Sequence, residues 1–153
     1  MSPSAERPLP VDFDAPFDPS FTGDPIPPIV PDLAGATIRH IALDCSLRVS
    51  LSTGWLVTFC EAACVAPAGE EPKRLEFIFE VDPDDRYLTP ELRMMVDQPV
   101  IAMHLSRQQG HLALETPKGR ILIDGRYCMT PWEMWGPDEF IDWPGLSGWL
   151  RAD

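Results

Sequence analysis

The segment LRVSLSTGWLVTF, residues 47–59, constrains the fold more than any other stretch. Apolar side chains recur at alternate positions on both sides of Ser52-Thr53-Gly54, the pattern of two half-buried strands joined by a tight turn. A three-residue loop with Gly54 at positive φ pairs Leu51 with Trp55, Val49 with Val57 and Leu47 with Phe59. All six side chains then share one face. A two-residue loop pairs Leu51 with Leu56, but sets Leu47 opposite Cys60 and Val49 opposite Thr58. The hydrophobic pattern therefore selects the three-residue register.

A second unit follows the same logic. Residues 99–105, 112–114 and 120–123 predict three strands. A loop over Thr116-Pro117-Lys118-Gly119 pairs Leu114 with Ile121 and Leu112 with Ile123, and places Glu115 opposite Arg120 on the outer face. In the first unit, residues 37–43 supply a leading strand with Ile41 and Leu43 on one side. A true internal duplication stays open, because the offset between the units drifts along the hairpins and any two antiparallel meanders share this pattern.

Between and after these units the signals are shorter. Residues 66–72 predict a polar loop. Residues 75–81 predict a half-buried strand, with Leu75, Phe77, Phe79 and Val81 inward. Thr89-Pro90-Glu91 is a helix-start signature: an N-cap hydroxyl, proline at the first helical position and an acid in the first turn. Leu92, Met95 and Val96 extend it to a helix of about two turns over residues 90–97. Residues 127–134 predict a strand, Gly136-Pro137-Asp138 a turn and residues 140–142 a short returning strand, in a tail rich in tryptophan. The fold class is α+β and mostly antiparallel. Two three-strand meanders form a sheet, a sandwich or a partly open barrel, with one short helix.

One domain preceded by an arm is expected. Residues 1–32 form a proline-rich acidic arm holding nine of the 18 prolines, which block helix and central strand alike. Residues 33–153 form a single β-rich domain. Phe13, Phe17 and Phe21 recur in the arm among aspartates. They are candidate anchors, either on the domain's own surface or on a partner.

The net charge is −12, from 24 acidic against 12 basic residues, which argues against nucleic acid and against anionic membrane as partners. No export signal or membrane span is legible, so the expected location is cytoplasmic. In that setting Cys45, Cys60, Cys64 and Cys128 are expected as free thiols. Cys60-x-x-x-Cys64 lacks the second ligand pair of a structural zinc site, and Asp82, Asp84 and Asp85 lack the glycine and distal glutamate of a calcium loop. No metal and no cofactor is therefore expected. Phosphate-loop, dinucleotide and Gly-x-Ser-x-Gly motifs are absent from the sequence.

Leu33-x-Gly35-x-x-Ile38, the hairpin at residues 47–59, Leu112-x-Leu114 with Gly119-x-Ile121, and Glu133-x-Trp135-x-Pro137 followed by Pro144-Gly145 resemble a family of small bacterial β-rich domains, the domain-of-unknown-function family numbered 6188. The resemblance covers residues 33–150. It implies no activity, ligand or catalytic residue. The proline-rich arm and residues 82–97 depart from the shorter members.

The function expected from these features is non-enzymatic protein binding. The concrete form is an immunity-type or accessory protein that blocks a basic partner such as a toxin domain. Glu70, Glu71, Asp82, Asp84 and Asp85 on loops are the candidate contacts, with Trp132 or Trp135 as aromatic anchor. The competing classes are a small cytosolic enzyme using His40 or His104 with a cysteine, and a structural subunit of a larger assembly held by the arm.

Overall fold

The computed structural model describes residues 16–60, 62–77, 88–106 and 109–142. Phe13, the acidic turn of Asp82, Asp84 and Asp85, the expected strand beyond residue 77 and the chain from Trp143 onward lie outside the described residues.

The first hairpin has the register that its alternation requires. Strand β2 (Leu47–Leu51) pairs with β3 (Leu56–Phe59), with Leu47 opposite Phe59 and Val49 opposite Val57. The Leu51 N–H donates to the Trp55 carbonyl at 2.8 Å, and Gly54 closes the loop at φ 91°. Strand β1 (Ile38–Leu43) precedes them with Ile41 and Leu43 buried, its register shifting between Ile38 and His40. The second hairpin keeps its expected pairs but has a shorter loop, because Thr116 pairs with Gly119 and only Pro117 and Lys118 connect the strands. Strand β7 (Leu112–Thr116) and β8 (Gly119–Ile123) pair Leu114 with Ile121 and Glu115 with Arg120, and β6 (Ala102–Leu105) flanks β7.

Four further strands complete the fold: β4 (Ala63–Pro67), β5 (Lys73–Arg74), β9 (Trp132–Trp135) and β10 (Phe140–Asp142). They build two five-stranded sheets, ordered β1-β2-β3-β9-β10 and β5-β4-β8-β7-β6, every pair antiparallel. The inner faces pack on each other in a sandwich-like core. Leu47, Val49, Phe59, Trp132 and Met134 come from the first sheet, and Val65, Leu105, Leu112, Leu114 and Ile121 from the second.

Three local expectations are corrected. The polar loop expected over residues 66–72 begins later, because Ala66 and Pro67 belong to β4; alanines carry little strand signal, yet Ala63, Val65 and Pro67 alternate inward against β8. Beyond it the laddered residues are Lys73 and Arg74, while residues 75–77 run on without a ladder although Leu75 is buried. The helix α1 (Pro90–Arg93) begins where its cap predicts, with Thr89 Oγ1 accepting from the Leu92 N–H at 3.3 Å, but it ends after four residues. Backbone pairing stops it. Asp97, at φ 68°, donates its N–H to the Ile38 carbonyl at 2.7 Å, and Val100 donates to Ala36 at 2.7 Å. These bonds carry the chain from the edge of β1 into β6. The sheets thus meet along one side without closing into a barrel.

The chain changes sheet twice, between β3 and β4 and between β8 and β9, the latter through a 3-10 turn over Gly125–Tyr127, so that the strand expected over residues 127–134 begins only at Trp132. A Cys60–Cys128 disulfide joins these two crossings, 68 residues apart in sequence. The expectation of four free thiols is therefore wrong for this pair; only Cys45 and Cys64 are free. The thiol argument for a reducing cytosol falls away with it.

Candidate functional site

Strand β9 divides its side chains by parity. Trp132 and Met134 point into the core, while Glu133 and Trp135 face outward. Ladder pairing then builds two rows on the outer face of the first sheet. Leu56, Trp135 and Phe140 lie in one, and Arg48, Thr58, Glu133 and Asp142 in the other. The rings of Trp135 and Phe140 lie 4.3 Å apart between centroids, and each residue is 46% exposed. Their turn is closed by the Gly136 N–H donating to the Glu139 carbonyl at 2.8 Å. A Cβ at Gly136 would stand 2.8 Å from the Trp55 ring, so any larger residue there must displace that ring.

Four acids surround the aromatic pair. Glu133 and Asp142 oppose each other across β9 and β10, and Asp138 and Glu139 are exposed on the turn between them. Residues 132–142 contain no lysine or arginine. Arg48, two strands away in the same row, is held by Asp44 Oδ2 at 2.6 Å. The surface therefore offers apolar ring area inside a negative rim, the composition that suits a cationic protein surface.

The expected site residues do not all join it. Trp135 does. Trp132 is fully buried, so as a surface anchor it is corrected to a core residue. Glu70 and Glu71 are exposed, but they sit on the turn between β4 and β5 of the second sheet. Phe140, Glu133, Asp138, Glu139 and Asp142 were missed. The signal was present: strand parity through Trp132 and Trp135 assigns one ring inward and the other outward, and the short returning strand then brings Phe140 beside the outer one.

The outer face of the second sheet is occupied by the chain's own arm. Phe17 packs edge-on against His111 at 4.9 Å, and Phe21 lies 5.4 Å from His111 and 6.5 Å from His104. Arg120 donates to the carbonyls of Pro19 and Phe21 at 3.1 and 2.7 Å and to Glu115 Oε1 at 2.7 Å. His104 Nε2 meets the same Glu115 oxygen at 3.2 Å. The Asp24 N–H donates to the Leu105 carbonyl at 2.8 Å, adding an arm residue to the edge of β6.

Electrostatics on this face follow from burial and pairing. Burial works to raise the Glu115 carboxyl, but hydrogen bonds and charge from Arg120, then His104, hold it below its ordinary range. Asp124 is likewise held low against burial by hydrogen bonds from the Arg126 side chain and backbone. Burial pushes His111 down to about 4, with Arg126 adding to the effect and Asp124 opposing it. His111 Nδ1 accepts the Gly125 N–H at 2.9 Å, so the neutral ring carries its proton on Nε2. Its 3.4 Å approach to Asp124 is therefore not an ion pair at neutral pH.

The histidines and cysteines of the enzyme alternative are dispersed. His40 is exposed on β1 of the first sheet and His104 lies on β6 of the second. Cys64 shares the second sheet with His104, and burial raises its thiol. The other three cysteines line an open cleft of about 510 Å³ with Thr58, Met129 and Glu133, on the border of the aromatic and acidic face. Among the described residues no cluster of three or more histidine, cysteine or acidic side chains could hold a metal ion.

No protein-family model, curated protein or solved structure matches this chain. The class defined by its fold is a sandwich-like, mostly antiparallel α+β protein. No helix among the described residues is long and apolar enough to cross a membrane.

Proposed function

We propose that this protein binds a basic protein partner without catalysing a reaction. It acts as an immunity-type or accessory protein that covers a cationic cleft, such as that of a toxin domain. The observation that carries the reading is the exposed Trp135–Phe140 pair set among Glu133, Asp138, Glu139 and Asp142. Desolvating two aromatic rings supplies affinity at the centre of an interface, and complementary charge on the surrounding rim fixes register and excludes wrong partners. The net charge of −12 extends the field outward and speeds encounter with a positive surface. Glu70 and Glu71, on the other sheet, contribute to that field and not to the contact.

The test is a titration of a captured basic partner at low and high salt against the wild-type chain, Trp135→Ala, and a Glu70→Lys, Glu71→Lys double variant. The proposal expects weaker binding at high salt and a loss of tenfold or more for Trp135→Ala, corresponding to about 1.4 kcal/mol or more. The double charge variant should slow association with little change in dissociation. A partner whose affinity ignores both salt and Trp135 would refute the proposal.

A further inference from the structure

Three of the chain's four cysteines converge on one open cleft: exposed Cys45 and the disulfide-bonded Cys60 and Cys128 line it together. Chain geometry explains the convergence. The β2–β3 ladder ends with Leu47 opposite Phe59, so the next residues outward are Ser46 and Cys60, with Cys45 one step further along the turn from β1. Cys60 is held at that point by its N–H donating to the Pro131 carbonyl at 2.9 Å. A free thiol and a disulfide facing one solvent-open space are the reactants of thiol–disulfide exchange.

We propose that this cleft is an exchange site in which Cys45 attacks the disulfide at Cys60. The Cys45 thiol loses its proton to solvent, and the thiolate attacks Cys60 Sγ in line with the sulfur–sulfur bond. The Cys45–Cys60 bond forms as the Cys60–Cys128 bond breaks, and Cys128 leaves as a thiolate that takes up a proton. One thiol and one disulfide stand on each side, so no external oxidant or reductant is consumed. Cys60 is the sulfur attacked because it directly follows β3, beside the turn that carries Cys45. Cys128 is the leaving group because it lies on the connection between the sheets, next to Met129, which is 94% exposed.

The two disulfides constrain different things. Cys60–Cys128 ties both crossings between the sheets together across 68 residues, whereas Cys45–Cys60 would link neighbouring segments of the first sheet only. Exchange therefore releases the connection from β8 to β9, and with it one wall of the cleft, while the hairpin registers stay intact. Thr58 and Glu133 also line this cleft, so the released wall borders the aromatic and acidic face.

The experiment is disulfide mapping on the full-length protein. The chain is incubated in mildly alkaline buffer, quenched in acid, alkylated, digested and read by mass spectrometry. A Cys45–Cys60 linked peptide is expected, with Cys128 gaining alkylation in the same amount that Cys45 loses it. Cys45→Ser should abolish the new species and leave Cys60–Cys128 alone. In Cys128→Ser, oxidised glutathione as the oxidant should close a Cys45–Cys60 bond, detectable in the digest whether or not the variant is less stable. A wild-type digest containing only Cys60–Cys128, or one in which Cys45–Cys60 appears alongside equal amounts of pairs to Cys64, overturns the proposal.

Discussion

Arg120 in β8 donates to the carbonyl of Phe21, 99 residues earlier, at 2.7 Å, and its guanidinium carbon stands 5.8 Å from the centre of that residue's ring. One side chain thus holds the arm by its backbone and by a cation–π contact, while Glu115 fixes the guanidinium from the other side. Arg120→Ala should free the arm and leave Glu115 without its main partner. The expected cost is about 1–3 kcal/mol, read as a lower denaturation midpoint. Hydrogen exchange should accelerate at Asp24 while the amides of β2 and β3 keep their protection.

The two tryptophans of β9 should separate stability from binding. Trp132→Ala empties a fully buried site and should cost about 3–5 kcal/mol by denaturant unfolding. Trp135→Ala removes a ring that is 46% exposed and should change stability far less, while abolishing most of the affinity for a basic partner.

His111 makes stability depend on pH. Its folded value of about 4 lies below the ordinary 6.5, so the unfolded chain binds more protons between these limits. The stabilisation is fully present above pH 6.5 and is lost as pH falls toward 4. Allowing for solvent screening at this incompletely buried ring, the loss should be on the order of 2 kcal/mol. His111→Gln, which has no titrating ring, should flatten the dependence of the urea midpoint across this window. Asp124, held low by Arg126, loses its own contribution only at still lower pH.

Gly119 should tolerate no side chain. It sits at φ 135° where β8 begins, and a Cβ there would come within 2.3 Å of the Ala66 carbonyl oxygen on β4. Gly119→Ala must strain the backbone and push β4 away. A loss of about 1–3 kcal/mol is expected, measured by thermal or denaturant unfolding.

The candidate face shows where sequence reasoning reached its limit. Trp135 was recognisable as a ring outside the core only once β9 had been given an inner and an outer side. Trp132, three residues earlier, shares its chemistry but not its parity, and composition cannot separate them. Phe140 was legible as part of a short strand, yet its stacking on Trp135 needed the pairing of β10 with β9. Glu70 and Glu71 were sound as exposed acids. Nothing in their local sequence indicated that they belong to the other sheet.

Local alternation and turn chemistry determined both hairpins, the start of α1 and the mostly antiparallel class, because those interactions lie within a few residues along the chain and one slip would expose every apolar side chain. Tertiary structure alone decided that β3 pairs with β9, that Cys60 meets Cys128, that Asp97 ends α1 by bonding to Ile38, and that Phe17 and Phe21 cover His104 and His111. Each of those contacts closes a long loop. Its gain depends on which buried surfaces fit together in three dimensions, information that no periodicity along the chain contains.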